Sequence, residues 1–350
     1  ISPKVGEAAT IFIIISIIIS VVSAYISLTI DVPKSDIGDD GARSYSLSGK
    51  NNQRKLGSPI ERHYGRLKVY PTYISRPYSQ FIDNEQVLYQ QLCLGHGTPT
   101  DISVFIGDTP IESYPEVEFE IGSNPTLFPD NVETSQDVAN IHIRGTGVPE
   151  YPTDGWYGGF VSNAIGTETF LLEIDLSFPN GLFRARSSGK TSSTSLGFQA
   201  EYREVDSNGD PIGSWVDFGL TGLTARTRSP IRKTYSINVT PGRYEVRFRK
   251  TGADTQDSPK IIAEVYWVGL RAFLPSNQEY GDVTILAVKS TASSNLNDNT
   301  KNKVNVIATW GDRTISYAFK DVFKAKYGIA LADEYLDLDG IDEAEVLMTA

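Results

Sequence analysis

Apolar and polar positions alternate in short runs through most of the chain, and one early segment breaks that rule. Phe170-Leu-Leu-Glu-Ile-Asp-Leu-Ser-Phe178 and Leu196-Gly-Phe-Gln-Ala-Glu-Tyr-Arg-Glu-Val205 repeat at a period of two, the pattern of half-buried strands. Arg243–Lys250 puts Tyr244, Val246 and Phe248 on one face and Glu245, Arg247 and Arg249 on the other, toward solvent or a partner. Ile261–Phe273 reads as a further strand, and the frequent turn residues between these runs predict an antiparallel sandwich. Pro241-Gly-Arg-Tyr244 has the form of the tyrosine corner common in sandwiches. Shorter β-branched and aromatic runs at Gly65–Tyr70, Glu85–Leu94, Ile102–Ile106 and Val117–Ile121 predict an earlier β block. Val283–Lys289 and Lys303–Thr309 predict strands that rejoin it.

Between the two blocks, Thr126–Gly159 is dense in Pro, Asp, Asn and Gly and reads as surface loops. Helical spacing appears only near the end. Phe319, Val322, Phe323 and Tyr327 form one stripe of a helix over Ser316–Tyr327 that stops at Gly328. Asp342 and Glu345 stand at capping-box spacing for a second helix with no stop signal before Ala350. With no methionine at position 1, the chain reads as the middle of a longer polypeptide.

The exception is the segment 8–30, which has no charged residue. Its core, Ile11–Ile30, contains nine Ile and two Val and matches the about 20 residues a helix needs to cross a bilayer. A signal peptide is one reading, with Val22-Ser-Ala24 as its small-residue site, but the run exceeds the usual length of about 7 to 15 residues. A buried β-rich segment is a second, since Ile and Val suit strands. The third is a self-associating helix: Ser16, Ser20, Ser23 and Ser27 fall at steps of 4, 3 and 4 on one stripe, and small residues in a stripe let helices approach closely. A repeat near about 3.5 predicts a left-handed bundle of several copies. Residues 31–52, rich in Asp, Ser, Gly and Lys, read as a linker.

Composition narrows the chemistry. The 350 residues carry 32 Lys plus Arg against 43 Asp plus Glu, a formal charge of −11, which opposes binding to phosphate backbones as the main function. The single cysteine, Cys93, cannot form an internal disulfide. Cys93 and His96 are close in sequence, yet His63 and His142 stand apart and no second cysteine exists, so neither a nucleophile with its base nor a zinc site is completed. Asp206-Ser-Asn-Gly-Asp210 looks like a calcium loop but has Pro211 where the loop needs glycine, and reads as an Asn-Gly hairpin between Tyr202 and Trp215. Arg226, Arg228, Arg232 and Lys233 form a local basic run, read as a solvated loop. No residue set points to catalysis, a cofactor or a metal. Trp156 and Tyr157, in Asp154-Gly-Trp-Tyr-Gly-Gly159, are the candidate interface aromatics, as anchors, as sugar platforms or as cover for a sheet edge.

One family fits these residues. Leu47-Ser-Gly-Lys-Asn-Asn-Gln-Arg-Lys-Leu-Gly-Ser-Pro-Ile-Glu-Arg-His-Tyr-Gly-Arg-Leu-Lys-Val-Tyr-Pro71 resembles the opening signature of phage tail-tip proteins of the host-specificity J type. Asn84–Tyr89, Cys93–Gly97, Ile106–Ile111, Gly159–Asn163, Pro241–Arg247, Gly269–Pro275, Tyr280–Thr284 and Lys303–Thr309 follow in that family's order. Glu61-Arg-His63 departs from the family's plainer pattern. The resemblance spans residues 44–350 and implies a non-enzymatic, trimeric hub at the tail tip of the virion. It implies contacts with tail-tube, distal-tail, tip and tape-measure proteins, and with a host surface receptor through parts outside this chain.

The expected fold is mainly β: a hydrophobic helix and linker (1–44), a hub-type β domain (45–150), an inserted antiparallel β-sandwich (151–281), and a return to the hub domain with short helices (282–350). The segment 8–30 is expected to self-associate and to enter a host membrane on genome delivery. The competing expectation is a membrane-anchored or secreted sandwich that binds carbohydrate or a surface protein.

Overall fold

In the computed structural model, the described residues are 47, 52–53, 58–127, 130–138, 140–252, 260–275, 280–297, 303–311, 314–325 and 329–349. The segment 8–30, with Ser16, Ser20, Ser23 and Ser27, lies outside them. Among the described residues no helix is long and apolar enough to cross a membrane.

Strands carry the fold. The first are β1 (Gly65–Val69), β2 (Thr72–Tyr73), β3 (Tyr78–Ile82), β4 (Glu85–His96), β5 (Thr100–Ile106), β6 (Thr109–Pro110) and β7 (Val117–Gly122). Then come β8 (Asn131–Thr134), β9 (Ile141–His142), β10 (Tyr157–Val161), β11 (Thr169–Phe178), β12 (Phe183–Ala185), β13 (Thr191–Ser192) and β14 (Thr194–Glu204). They are followed by β15 (Val216–Asp217), β16 (Leu223–Ala225), β17 (Ile231–Gly242), β18 (Tyr244–Thr251), β19 (Ile261–Ile262) and β20 (Tyr266–Leu274). Last are β21 (Val283–Thr291), β22 (Val304–Trp310) and the helices α1 (Ile315–Lys324) and α2 (Leu338–Thr349).

β21 pairs with β4 and β7, and β22 with β1 and β5, so strands after residue 282 complete the same two sheets as strands before residue 123. Leu92, Leu94, Ile111, Leu286, Val306 and Trp310 form the core between them. The middle of the chain builds its own pair of sheets, β10-β18-β14-β15 and β17-β11-β20-β8. Their inward positions, among them Leu172, Ile174, Phe198, Phe248 and Trp267, make a second core. The corner read from Pro241–Tyr244 is present: the Tyr244 hydroxyl donates to the Thr240 carbonyl at 2.7 Å.

Three local expectations are corrected. Residues 126–159 are not all loop, because β8 and β9 pair with β20. Ile261–Phe273 is not one strand: β19 pairs with β12 and β20 with β11, and the chain between them turns Ala263 and Val265 into the core. The stripe of α1 does not face a core, since Phe319 and Val322 are 53% and 44% exposed. The helix instead docks through its polar start. Glu345 accepts from the Ile315 and Ser316 N–H groups at 2.9 Å, and Ser316 donates to Asp342 at 2.7 Å. Asp342 and Glu345 therefore sit inside α2; Glu345 joins the Thr314 hydroxyl, which accepts from Tyr317 N–H at 3.2 Å, in capping α1, rather than capping a helix of its own.

A two-residue turn, Asp83 and Asn84 with φ of 50° and 71°, joins β3 to β4 as a hairpin. Its tip rests on the outer side of the second pair of sheets. The Asn84 amide donates to the Pro230 carbonyl at 3.0 Å, and Phe81 N–H to the Thr234 hydroxyl at 2.8 Å. Behind the tip lies a buried charged cluster: Arg271 on β20 bonds both Glu173 and Asp175 on β11.

Candidate interaction face

The outer face of β14 and β18 is charged because the period that sends Phe198, Ala200, Val246 and Phe248 inward sends their neighbours out. Register then makes the pairs. Gln199 lies opposite Arg249, Glu201 opposite Arg247, and Arg203 opposite Glu245. Arg247 Nε donates to Glu201 at 2.8 Å, Arg249 Nε to Gln199 at 2.9 Å, and Arg203 forms an ion pair with Glu245. Cross-strand pairs of opposite charge stabilise a sheet.

Two tryptophans from outside these strands complete the surface. Trp156, just before β10, lies with its ring 4.1 Å from the Arg247 guanidinium and 4.3 Å from that of Arg249. Trp215, just before β15, lies 3.9 Å from Arg247 and 4.3 Å from Arg203. Cations and rings thus alternate as Arg249, Trp156, Arg247, Trp215, Arg203. Such contacts are worth about 0.5–1 kcal/mol each at exposed sites. Three arginines face two glutamates here, leaving one net positive charge at the Arg249 end, where the opposite residue is the neutral Gln199.

The path of the chain at Trp156 depends on glycine. Gly158 has φ of 104°, and a Cβ on it would lie 2.8 Å from the Val246 carbonyl oxygen. A bulge between Gly158 and Phe160 follows from this.

The two sequence candidates have different roles. Trp156 is half-buried and its ring is occupied by the chain's own guanidiniums. Tyr157 turns the other way and packs against the core, while its hydroxyl accepts from Arg144 N–H at 3.0 Å and donates to the Glu150 carbonyl at 3.1 Å. It holds the preceding loop. Arg203, Arg247, Arg249 and Trp215 do not stand out as a set in the sequence: alternation gives the outward positions of β18, but not the strand register that aligns them with β14.

The three histidines sit apart. His63 packs against Trp310 with ring centres 4.8 Å apart and the rings tilted by 57°, and burial pushes its pKa down. His142 stacks on Tyr266 at 4.5 Å. His96 Nδ1 is 2.8 Å from Asp282 Oδ1, and that hydrogen bond holds the Asp282 carboxyl below its usual range. Together with Gly97 N–H donating to the Asp282 carbonyl at 2.7 Å, it fastens the end of β4 to the start of β21. The pair borders an open pocket of about 760 Å³ that also touches Ile60, Arg62, Tyr64 and Val322. Cys93 lies half-buried in β4, where burial pushes its thiol pKa up, against any role as a ready nucleophile. Among the described residues no group of three His, Cys, Asp or Glu side chains is arranged to hold a metal. Asp206–Asp210 is the expected hairpin turn, with Asp206 accepting from the Asn208 and Asp210 N–H groups at 2.8 and 2.9 Å.

A family model described as tip attachment protein J, FNIII-A domain, matches residues 159–276. A comparison with curated proteins returned no match. Among solved structures, the receptor binding domain of the spike protein P1 from bacteriophage PM2 aligns at 11% identity, covering 43% of this chain and 99% of its own, with a TM-score of 0.26. The D431N VP2 protein of infectious bursal disease virus aligns at 11% identity over 78% of each chain, with a TM-score of 0.24. The structure of the entire lipid-containing bacteriophage PM2 aligns at 9% identity, covering 71% of this chain and 76% of the other, with a TM-score of 0.23. Scores this low carry no argument about the fold or its use.

Proposed function

We propose that this chain, whose residues 159–276 match the FNIII-A domain model of tip attachment protein J, is a structural component of the phage tail in the virion and forms a homotrimeric, non-enzymatic hub of the tail tip. The match over 159–276 is the observation that carries this reading. In it, the expected hub domain (45–150 and 282–350) carries an inserted sandwich (151–281), with the first boundary moved back to between β7 and β8, since β8 and β9 pair with β20 and Val138 and Ile143 lie in the sandwich core. The pairing of β21 and β22 with strands from before residue 123 supports that division. The Arg–Trp face on β14 and β18 is the sandwich surface that meets a neighbouring tail protein, because Trp and Arg concentrate binding energy at interfaces.

The segment 8–30 gathers at the three-fold axis through Ser16, Ser20, Ser23 and Ser27 and is released into a host membrane during genome delivery. Its length without charge supports this. The free sugar-platform reading of Trp156 loses support, since two arginines of the same chain occupy the ring.

Light scattering of the purified full chain tests the hub: a trimer mass is expected, and a stably folded monomer overturns the reading. A peptide of residues 8–30 should make liposomes leak. Intact vesicles at every lipid composition would refute the membrane step alone.

A further inference from the structure

The first and second pairs of sheets meet along two strand edges, and side chains bridge them. β3 is an outer strand of one sheet, paired with β4, and β17 is the outer strand of another, paired with β11. The two edges lie side by side, yet among the described residues no backbone ladder joins them. Two hooks on the β3–β4 hairpin take its place.

The first hook is Asn84, at the turn. Its side-chain amide donates to the Pro230 carbonyl at 3.0 Å and accepts from the Arg232 N–H at 2.6 Å. It thus serves the backbone on either side of Ile231 as a peptide group of a neighbouring parallel strand does. Arg232 in turn donates to the Asn84 carbonyl at 3.2 Å and lays its guanidinium 5.1 Å from the centre of the Phe81 ring. The second hook reaches buried charges. Gln80 donates to Glu173 at 2.6 Å, and the Phe81 N–H donates at 2.8 Å to the Thr234 hydroxyl, which donates onward to Asp175 at 2.5 Å. Glu173 and Asp175 share the single cation of Arg271. The Gln80 amide therefore supplies a hydrogen bond to an acid that is only partly neutralised, which a buried carboxylate requires.

Apart from Tyr78, whose ring meets those of Tyr89 and Phe273, these contacts are polar. Blocks of one chain move relative to one another by default unless their interface is large and hydrophobic. Polar hooks also have water as a ready second partner once the hairpin lifts, so they hold a position without welding it. We propose that the β3–β4 hairpin is a clasp: it fixes the direction of the second pair of sheets, and with it the Arg–Trp face on β14 and β18, relative to the first pair, and the two blocks turn against each other when both hooks are removed. The clasp lies within one chain and needs no trimer.

Distance measurement between two spin labels on the full chain tests it. The labels go on Asp108→Cys, a 94% exposed side chain in the first block, and on Ser207→Cys, exposed in the second, in a Cys93→Ser background. Excess unlabelled chain removes signals between copies. One narrow distance is expected. Gln80→Ala with Asn84→Gly, in which glycine keeps the positive φ of the turn, should at least double the width of the distribution at unchanged circular dichroism. If that variant fails to fold, Asn84→Gly alone and Thr234→Val alone should each widen it. Arg249→Gln, on the far sheet, should leave it unchanged. The proposal is overturned by an unchanged width in the double variant, by a broad distribution before any hook is removed, or by equal widening from Arg249→Gln. Unfolding of all three hook variants also overturns it, since a clasp is separable from the blocks it joins. A trimer without the widening refutes only the clasp, and a monomer that shows it refutes only the hub.

Discussion

Gln80 donates its side-chain amide to Glu173 at 2.6 Å, joining the β3–β4 hairpin to the second pair of sheets through a carboxylate that Arg271 also holds. One guanidinium there serves two carboxylates, Glu173 and Asp175, all three groups buried. Burial alone would lower the Arg271 pKa, but the two carboxylates more than offset it and hold the group above its ordinary value. Glu173 is pushed up, because burial outweighs its share of a single cation. The cluster thus sits where two blocks of the fold meet, and its charge balance depends on Arg271.

Replacing Arg271 with Met should therefore cost about 3–5 kcal/mol, the penalty of leaving buried carboxylates without their cation. Urea unfolding at pH 7 measures it. Adding Glu173→Gln and Asp175→Asn should recover part of the loss, since neutral amides need no counter-charge.

Tyr244→Phe removes the hydroxyl bonded to the Thr240 carbonyl while keeping the ring in the core. A loss of about 1 kcal/mol is expected. The urea midpoint should fall with no change in slope, since the surface exposed on unfolding is unaltered.

In the Arg–Trp face, Trp215→Ala strips the ring between Arg203 and Arg247, and Trp156→Ala the ring between Arg247 and Arg249. Each should destabilise by about 1–2 kcal/mol, from two contacts of about 0.5–1 kcal/mol. Because both rings share Arg247, the double variant should depart from additivity by about 0.5 kcal/mol or more in a double-mutant cycle. Strict additivity would mean that the two halves of the face are independent.

His63 makes stability sensitive to mild acid. Burial holds its folded pKa below the ordinary 6.5, with Glu61 opposing. Below pH 6.5 the unfolded chain then binds more protons than the folded one, so stability is full above that pH and declines as pH falls toward the folded value. The melting temperature should drop between pH 7.5 and 5.5, and His63→Phe, which keeps a ring against Trp310, should flatten that drop.

Sequence alone determined the local features: period-two strands such as Thr169–Phe178, the Tyr244 corner and the Asp206–Asp210 turn follow from side chains within a few residues of one another. It also determined which strand faces are charged, since alternation assigns Arg247 and Arg249 outward once Val246 and Phe248 are inward. What those outward residues meet was decided only by tertiary structure. Arg203 finds Glu245, Trp156 finds Arg247, and Gln80 finds Glu173 across long stretches of chain, through strand registers that no local pattern encodes. The same holds for α1, whose apolar stripe looked like a core face. Its pairing with α2 was set by Glu345, which accepts from two of its unpaired N–H groups, and by Asp342, which accepts from the Ser316 hydroxyl.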